Sequence, residues 1–235
     1  MHFLTKRFSK IFIGSIIILL LGCFIIFHKK GLLYAIDRIP ESLATIHEKN
    51  IRASNTWNKQ EVDSAIRLLQ DGDLVLRRGI DISSYLLCKM NRRDQSYSHC
   101  GLVMMEHGYP FVYHSIGGED NPDEEMRRDS ALLFFSPAQN LNFGVARYQL
   151  SDTEKCKLSQ TIKQFYTEHR KFDMDFDLKS DDRLYCSEFV YKALRIASND
   201  SYYIVPTHTA NYTFAGIDDL YLNPHARLIL QVKFK

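Results

Sequence analysis

The chain has 235 residues, of which 45% are hydrophobic and 25% charged, as in an ordinary globular protein. Its 30 lysines and arginines nearly balance 28 aspartates and glutamates, so the net charge is only +2. Because the sequence also lacks a basic stripe, we expect no nucleic-acid partner. Once the N-terminal segment and the tether that follows it are set aside, roughly 180 residues remain, enough for one domain with a sizeable core.

The N-terminal segment carries an uncharged apolar run at residues 11–27, with basic residues on both sides. A helix of this length spans about 26 Å, close to the ~30 Å core of a bilayer. An uncleaved signal anchor is one interpretation. A lipoprotein signal is another, because residues 20–23 (Leu-Leu-Gly-Cys) resemble a lipobox that would acylate Cys23, and a cleaved secretory peptide is the third. The first two predict a membrane-anchored protein whose domain lies outside the cytoplasm.

The chain is predicted to divide into three parts. Residues 1–30 form the signal anchor or lipoprotein signal, residues 31–57 a tether with a surface helix, and residues 58–235 the catalytic domain. Apolar spacing predicts helices at residues 58–70 and 80–90. Between them, Asp71 and Gly72 predict a turn, and residues 73–77 predict a strand.

Two histidines lie on the next predicted element, a hairpin. Residues 101–106 and 111–115 predict its strands, and residues 107–110 predict the turn. With a loop of two or four residues, alternation places His99 and His114 on the same face, and the shorter loop makes them diagonal neighbours about 7–8 Å apart. An odd loop or a bulge would break this pairing. Cys100 is predicted to point to the opposite face from His99.

The second half of the chain is predicted to alternate loops and regular elements. Residues 117–130 are acidic without the spacing of a calcium loop, which predicts a solvated loop, and residues 143–148 predict a strand. Ser151 begins a capping box that opens a long helix. The stripe of that helix is predicted to contain Leu158, Ile162, Phe165 and His169. Residues 202–212 predict a loop and residues 227–234 a final strand.

Cys186 is predicted to lie in the first turn of a helix whose apolar stripe continues through Val190, Ala193 and Ala197. Residues 180–182 offer oxygens that could cap this helix. A helix N-terminus favours a thiolate over a thiol, which is typical of a reactive cysteine. The alternative is a small buried hydrophobic residue.

The cysteine pattern excludes one kind of site and leaves one pairing open. The five cysteines form no CxxC pair, which argues against a zinc site. A disulfide between Cys88 and Cys100 stays open.

Three motifs together resemble the YiiX/YebB-like branch of the NlpC-type cysteine peptidases. They are Asp-Gly-Asp-Leu-Val at residues 71–75, Tyr-Ser-His-Cys-Gly-Leu-Val at residues 97–103 and Tyr-Cys-Ser-Glu-Phe-Val at residues 185–190. The resemblance implies a circularly permuted papain-like α+β fold, in which the cysteine helix packs on a small antiparallel sheet that bears the histidine.

The same resemblance implies a role for individual residues. Cys186 matches the nucleophile, His99 the base and His114 the third polar position that orients His99. Asp173 matches a recurring aspartate that we interpret as structural. Cys100 departs from the pattern, because the family usually has an aliphatic residue there.

The implied activity is thiolate acyl transfer that needs no metal or organic cofactor. We expect a membrane-anchored cysteine hydrolase that cleaves an amide bond in a cell-envelope, peptidoglycan-type peptide. A lipid acyltransferase or esterase with the same Cys-His dyad, and a non-catalytic binding module on this fold, are the alternatives. Arginines near the His99 strand would favour a substrate with a free carboxylate or phosphate if they reach the cleft; they are Arg77, Arg78, Arg92 and Arg93.

Overall fold

The computed structural model describes residues 43–118, 121, 123–209 and 212–235. The predicted membrane segment at residues 1–30, Cys23 and the first part of the predicted tether lie outside the described residues. Within the described part of the chain, no helix combines the length and apolar character needed to cross a bilayer. The described part is an α+β domain, which confirms the predicted class.

A six-stranded antiparallel sheet forms the centre of this domain, in the order β4-β3-β2-β1-β5-β8. Its strands are β1 (Leu74–Gly79), β2 (His99–Glu106), β3 (Tyr109–His114), β4 (Arg127–Ser130), β5 (Asn140–Tyr148) and β8 (Ala226–Lys233). A separate small hairpin pairs β6 (Thr207–Thr209) with β7 (Tyr212–Phe214).

Helices cover both faces of the sheet. They are α1 (Leu43–Ser54), α2 (Thr56–Leu68), α3 (Ile82–Cys88), α4 (Ala131–Phe134), α5 (Asp152–Thr167), α6 (Cys186–Ser198) and α7 (Ile217–Tyr221). The helices predicted near residues 58–70, 80–90 and after Ser151 are therefore confirmed. Ser151 caps α5 as predicted, because its Oγ accepts the Glu154 N–H while the Glu154 carboxylate accepts the Ser151 N–H.

Strand alternation separates two cores. On β1, Leu74 and Leu76 face the core that contains the apolar residues of α5 and α6. Val75, between them, faces the core that contains the buried residues of α2 and α4. Two-sided burial of this kind explains why β1 reads as a continuous apolar run rather than an alternating one. Neighbouring residues on one strand therefore pack in different layers of the protein.

The β2–β3 hairpin has the two-residue loop, formed by His107 and Gly108. Both have positive φ angles, 51° and 84°, as a type I′ turn requires. The register pairs Leu102 with Tyr113, which continues to Gly101 opposite His114. The shorter-loop register of the sequence analysis is thus confirmed.

Three local predictions are wrong. The acidic stretch does not end as a loop, because Arg127–Ser130 form β4 and pair with β3, and the predicted loop at residues 202–212 contains β6. His169 is not on the α5 stripe, because the helix ends at Thr167 and the exposed His169 ring instead contacts the Glu125 carboxylate at 2.7 Å. For β4 and His169 a contact distant in sequence overrides the local pattern, whereas β6 pairs with the next strand of the chain, β7.

Candidate active site

Cys186 is the first residue of α6 and is 7% exposed. Tyr185 precedes it in extended conformation, so the helix begins at the cysteine as predicted. The predicted capping residues at 180–182 do not cap it. Glu188 does so instead, because its carboxylate accepts the Tyr185 N–H at 3.2 Å. The helix start is therefore fixed by a carboxylate three residues downstream.

The Cys186 thiol shares its buried core with a second thiol, that of Cys100. A hydrogen bond from the Cys100 thiol is the largest influence on the pKa of Cys186, and it lowers that pKa. Burial opposes this effect, but backbone N–H groups of Cys100 and Ser187 also lower the pKa, and the net shift is downward. Burial and the neighbouring Cys186 raise the pKa of Cys100 well above its usual value. Cys186 is therefore the thiolate of the pair and Cys100 the donor.

The two histidines form a direct contact. His99 Nε2 lies 2.9 Å from His114 Nδ1, and their rings meet edge to face. Gly101, opposite His114, makes this close approach feasible, because a methyl group there would lie 2.7 Å from the Tyr113 carbonyl oxygen and 3.0 Å from His114 Cβ. The prediction that both histidines share one face is confirmed.

Asp129 extends this contact into a chain of three side chains. Its Oδ2 lies 3.1 Å from His114 Nε2, and its other oxygen accepts a hydrogen bond from Arg127 at 3.1 Å. An ionised carboxylate only accepts, so we assign the His114 proton to Nε2. His114 Nδ1 then accepts from His99 Nε2–H, which leaves the lone pair of His99 on Nδ1. The chain therefore defines which nitrogen of His99 can act as a base.

The sequence analysis missed Asp129. A possible signal was the alternation in Arg127–Ser130, where a strand paired with β3 would put Asp129 on the His114 face.

Both histidines are neutral near pH 7. Burial lowers the pKa of His99 well below its usual 6.5, and the charges of Arg77 and His114 lower it further. Burial also lowers the pKa of His114, to about 4, although the hydrogen bond to Asp129 opposes the shift. Burial raises the pKa of Asp129, but its bonds to His114 and Arg127 outweigh burial, so the carboxylate stays ionised.

The structure does not join His99 to Cys186 by a hydrogen bond. His99 lies on the face of β2 that packs against Phe134, with ring centroids 5.8 Å apart. Cys100, on the opposite face as predicted, lies in the core with Cys186. Burial lowers the pKa of Arg77, and the charges of Asp129 and Cys186 partly oppose this shift. The histidine pair and the thiol are thus two assemblies at one end of the sheet.

A small cavity of about 20 Å³ adjoins Cys186. Since about 10–15 Å³ suffices for one water molecule, only about one water fits. The His99 ring does not line it. Most of its wall is apolar and is formed by Leu87, Met90, Phe176, Phe214, Ala215 and Ile217. Any larger group would have to displace part of this wall to reach the sulfur.

Of the other predicted site features, Asp173 is buried and accepts the Asp175 N–H at 2.9 Å, which fits the structural role expected of it. Cys88 and Cys100 are both free thiols. Of the four arginines, Arg93 is bound to Asp219 at 3.2 Å, and the Arg92 backbone is bound to Asp218. Arg77 lies beside the histidine pair, because its guanidinium carbon is 4.9 Å from the centre of the Phe134 ring that both histidines contact.

No family model matches the chain. The sequence is similar to the uncharacterized protein YiiX of Escherichia coli K12, with 26% identity over 130 residues, which cover 54% of this chain and 58% of YiiX. The matched part is thus less than two thirds of that relative. The fold is similar to the crystal structure of metalloprotein yiiX from Escherichia coli O157:H7, with a TM-score of 0.58, 19% identity and coverage of 70% of this chain and 98% of that one. These findings establish homology to YiiX, whereas membership of the NlpC-type peptidases stays a prediction.

Proposed function

We propose that the protein is a cysteine hydrolase of the permuted papain-like, NlpC-type class, and that Cys186 is its nucleophile. The observation that carries the proposal is the Cys186 thiol itself. It lies at the N-terminus of α6, beside a cavity, with hydrogen-bond donors that lower its pKa. Structural cysteines in apolar surroundings have the opposite shift.

The proposed reaction is acyl transfer from an amide. The Cys186 sulfur forms a bond to the carbonyl carbon, and the carbonyl π electrons move to the oxygen. Backbone N–H groups of the first turn of α6 stabilise this oxyanion. When the tetrahedral intermediate collapses, the C–N bond breaks and the amine leaves with a proton. Water then hydrolyses the thioester and regenerates the thiol.

His99 is the proposed acid and base, and its Nδ1 is the nitrogen that exchanges the proton. His114 and Asp129 position the ring and stabilise the imidazolium that forms, as the third member of a catalytic triad does. Proton exchange requires a distance of about 2.6–3.2 Å between Nδ1 and the reacting atom. The His99 ring lies on the face of β2 opposite Cys186, so this contact requires that substrate binding move the first residue of β2 relative to α6.

The proposed substrate is an amide in a cell-envelope peptide. The N-terminal apolar run supports placement on a membrane with the domain outside the cytoplasm. A second candidate is a lipid ester, and the apolar wall of the cavity at Cys186 favours it, since such a surface suits an acyl chain. The length of the tether, which would set how far the domain stands from the membrane, does not favour either the peptide amide or the lipid ester. The end of α1 contacts the domain through Arg52 Nε and the Pro137 carbonyl at 3.4 Å, which shortens the free part of the tether.

The Escherichia coli relative of known structure is called a metalloprotein, and a metal in this chain would need ligands among the described residues. Transition metals in proteins need several converging nitrogen, sulfur or carboxylate donors. Here His114 uses both of its nitrogens, for His99 and Asp129. Within the described residues, no three His, Cys, Asp or Glu side chains converge on one point. The donor set therefore does not fit a metal, and no step of the proposed reaction uses one.

The test compares the full-length chain in detergent micelles with its Cys186→Ser variant. Each is incubated with muropeptides and, separately, with phospholipid vesicles, and products are identified by mass spectrometry. We expect muropeptide cleavage that Cys186→Ser abolishes, while Cys156→Ser, the same change at the exposed cysteine, leaves it intact. Cleavage that survives Cys186→Ser would refute the nucleophile. If acyl chains are released from the vesicles while the muropeptides stay intact, the substrate is a lipid ester rather than a peptide amide.

A further inference from the structure

Helix α3 presents an apolar side to solvent. Ile82, Tyr85 and Leu86 lie on one side of this helix at the i, i+3 and i+4 spacing, and their exposed fractions are 50%, 51% and 47%. Clustered apolar side chains that stay exposed are typical of a surface that contacts a partner or a membrane. Tyr85 suits the boundary of a bilayer in particular, because its ring is apolar and its hydroxyl is polar.

Basic residues extend this side at the C-terminal end of α3. Lys89 follows Tyr85 and Leu86 at the same helical spacing, and its Nζ lies 5.4 Å from the centre of the Tyr85 ring. The Lys89 ammonium donates a hydrogen bond to the neutral amide of Gln95 at 2.7 Å, and this contact does not compensate its charge. Arg92, three residues further on, is also exposed. Apolar side chains with cations at their rim match an anionic lipid surface.

The acidic residue at the other end of α3 is engaged as the N-cap. The Asp81 carboxylate accepts the Ser84 N–H at 2.6 Å and the Ser84 hydroxyl at 2.8 Å. It is held there at the positive end of the helix dipole. Asp81 and Lys89 are separated by about 12 Å along the helix axis, more than the distance of about 8 Å over which physiological salt screens exposed charges. The acidic end therefore leaves the charge of the basic end available.

The inner side of the same segment closes the cavity at Cys186. Leu87, next to the exposed Leu86, lines this cavity, and so does Met90, which follows the helix. Both Leu87 and Met90 are partly buried. The segment therefore has one side in solvent and the other against the space beside the thiol. A partner that binds the outer side and shifts the helix would also change access to the sulfur.

A bilayer is a partner within reach of this segment. The apolar run at residues 11–27 predicts a membrane segment, and residues 28–42, which connect it to α1, span at most about 55 Å when fully extended. A domain of this size has a radius of gyration of about 16 Å, so a connection of that length lets any of its faces meet the bilayer. The outer side of α3 suits this contact through its apolar residues and its charge together.

We propose that the α3 face, formed by Ile82, Tyr85, Leu86 and Lys89, docks on an anionic lipid surface, and that docking moves α3 away from the cavity at Cys186. The bilayer is then both the support of the domain and the signal that uncovers the thiol. This inference goes beyond the proposed function, because it holds whichever bond the thiol attacks, and its test does not depend on hydrolysis.

A photoactivatable phospholipid tests the docking. The full-length chain is reconstituted in nanodiscs of phosphatidylcholine alone, or of phosphatidylcholine mixed with phosphatidylglycerol, and both contain a trace of a diazirine phosphatidylcholine. After illumination, the peptides that carry a lipid cross-link are identified by mass spectrometry. The rate of Cys186 alkylation by iodoacetamide is measured in the same nanodiscs. Variants are compared within one lipid mixture, so the effect of lipid charge on the local pH cancels.

In anionic nanodiscs we expect cross-links on the peptide that contains α3, and faster alkylation of Cys186 than in neutral nanodiscs. Combining Ile82→Ser with Leu86→Ser should lower cross-linking about tenfold and return alkylation to the rate in neutral nanodiscs, because two apolar side chains no longer leave water. Lys89→Gln should lower cross-linking about fivefold in anionic nanodiscs and leave it unchanged in neutral ones. The substituted side chains are exposed, so thermal unfolding should be unchanged in all these variants.

The matched control combines Leu132→Ser with Leu133→Ser. These leucines are about half exposed on α4, whose buried residues pack in the core of α2 rather than around the cavity. Cross-links that avoid α3, or an equal fall in the control, would overturn the docking. Protection of α3 that grows with the number of chains per nanodisc, and not with anionic lipid, would assign the face to a second copy and overturn it too. Cross-links on α3 with an unchanged rate at Cys186 would overturn the link to the thiol.

Discussion

The hydrogen bond from Cys100 to Cys186 gives a quantitative prediction. Replacing Cys100 with alanine removes the largest influence that lowers the Cys186 pKa and leaves the burial that raises it. A hydrogen bond to a charged group contributes about 1.5–3 kcal/mol. Since one pKa unit corresponds to about 1.4 kcal/mol, the pKa of Cys186 should rise by about one to two units.

The assay is the pH dependence of iodoacetamide alkylation, read at the Cys186 peptide by mass spectrometry. Each chain has a midpoint, the pH at which its alkylation rate is half maximal. At a pH between the midpoints of the parent chain and of Cys100→Ala, the variant should react about 10–100-fold more slowly than the parent. Cys100→Ser is the matched variant, because its hydroxyl still donates a hydrogen bond, and its midpoint should stay closer to that of the parent. The lost sulfur costs about 1 kcal/mol of stability, so the alanine variant should remain folded in a thermal scan.

Two results would refute this reasoning. An unchanged Cys186 midpoint in Cys100→Ala would mean that the backbone N–H donors alone set its pKa. Equal shifts in Cys100→Ala and Cys100→Ser would mean that packing around the sulfur matters rather than the donated hydrogen.

Four further predictions concern the same site. In the parent chain, iodoacetamide should label Cys186 well below pH 8 and before the other three described cysteines, and earlier labelling of any of them would contradict the assigned thiolate. If His114 only orients His99, His114→Ala should lower the rate of hydrolysis about 10–100-fold and His99→Ala about 1000-fold or more, whereas equal losses would mean that the roles are exchanged. Asp129→Asn can donate to His114 and reverse the proton order along the chain, so the rate should fall about 100-fold or more with unchanged thermal stability. Because the pKa of His99 is lowered, the base stays neutral at pH 6.5, and the acid limb of the rate profile should lie well below that pH.

The histidine pair was predictable because it depends on local rules. A two-residue turn sets the register of β2 and β3, and strand alternation then places His99 and His114 on one face. The start of α6 at Cys186 was likewise readable from helical spacing. Its cap was not, because the sequence offers three polar residues upstream, whereas the structure uses Glu188 inside the helix.

Asp129 and the Cys100–Cys186 contact depend on long-range packing. β4 joins β3 only after an acidic connection whose composition gave no sign of a returning strand. Alternation predicted that Cys100 faces away from His99, but not that α6 would pack on the Cys100 face. The sequence therefore predicted the members of the site better than their neighbours, because docking of a helix on a sheet has no local pattern.

The His107–Gly108 turn lies at the far end of the β2–β3 hairpin, yet its length determines which residue of β3 lies beside His99. Inserting a single residue there would rotate every following side chain of β3 to the other side of the sheet. His114 would then enter the core of α5 and α6, and Tyr113 would replace it beside His99. Selection on the site therefore acts on the length of a surface turn whose side chains take no part in chemistry. Homologous chains with a different loop length here should carry a different third residue, or should carry it one position away.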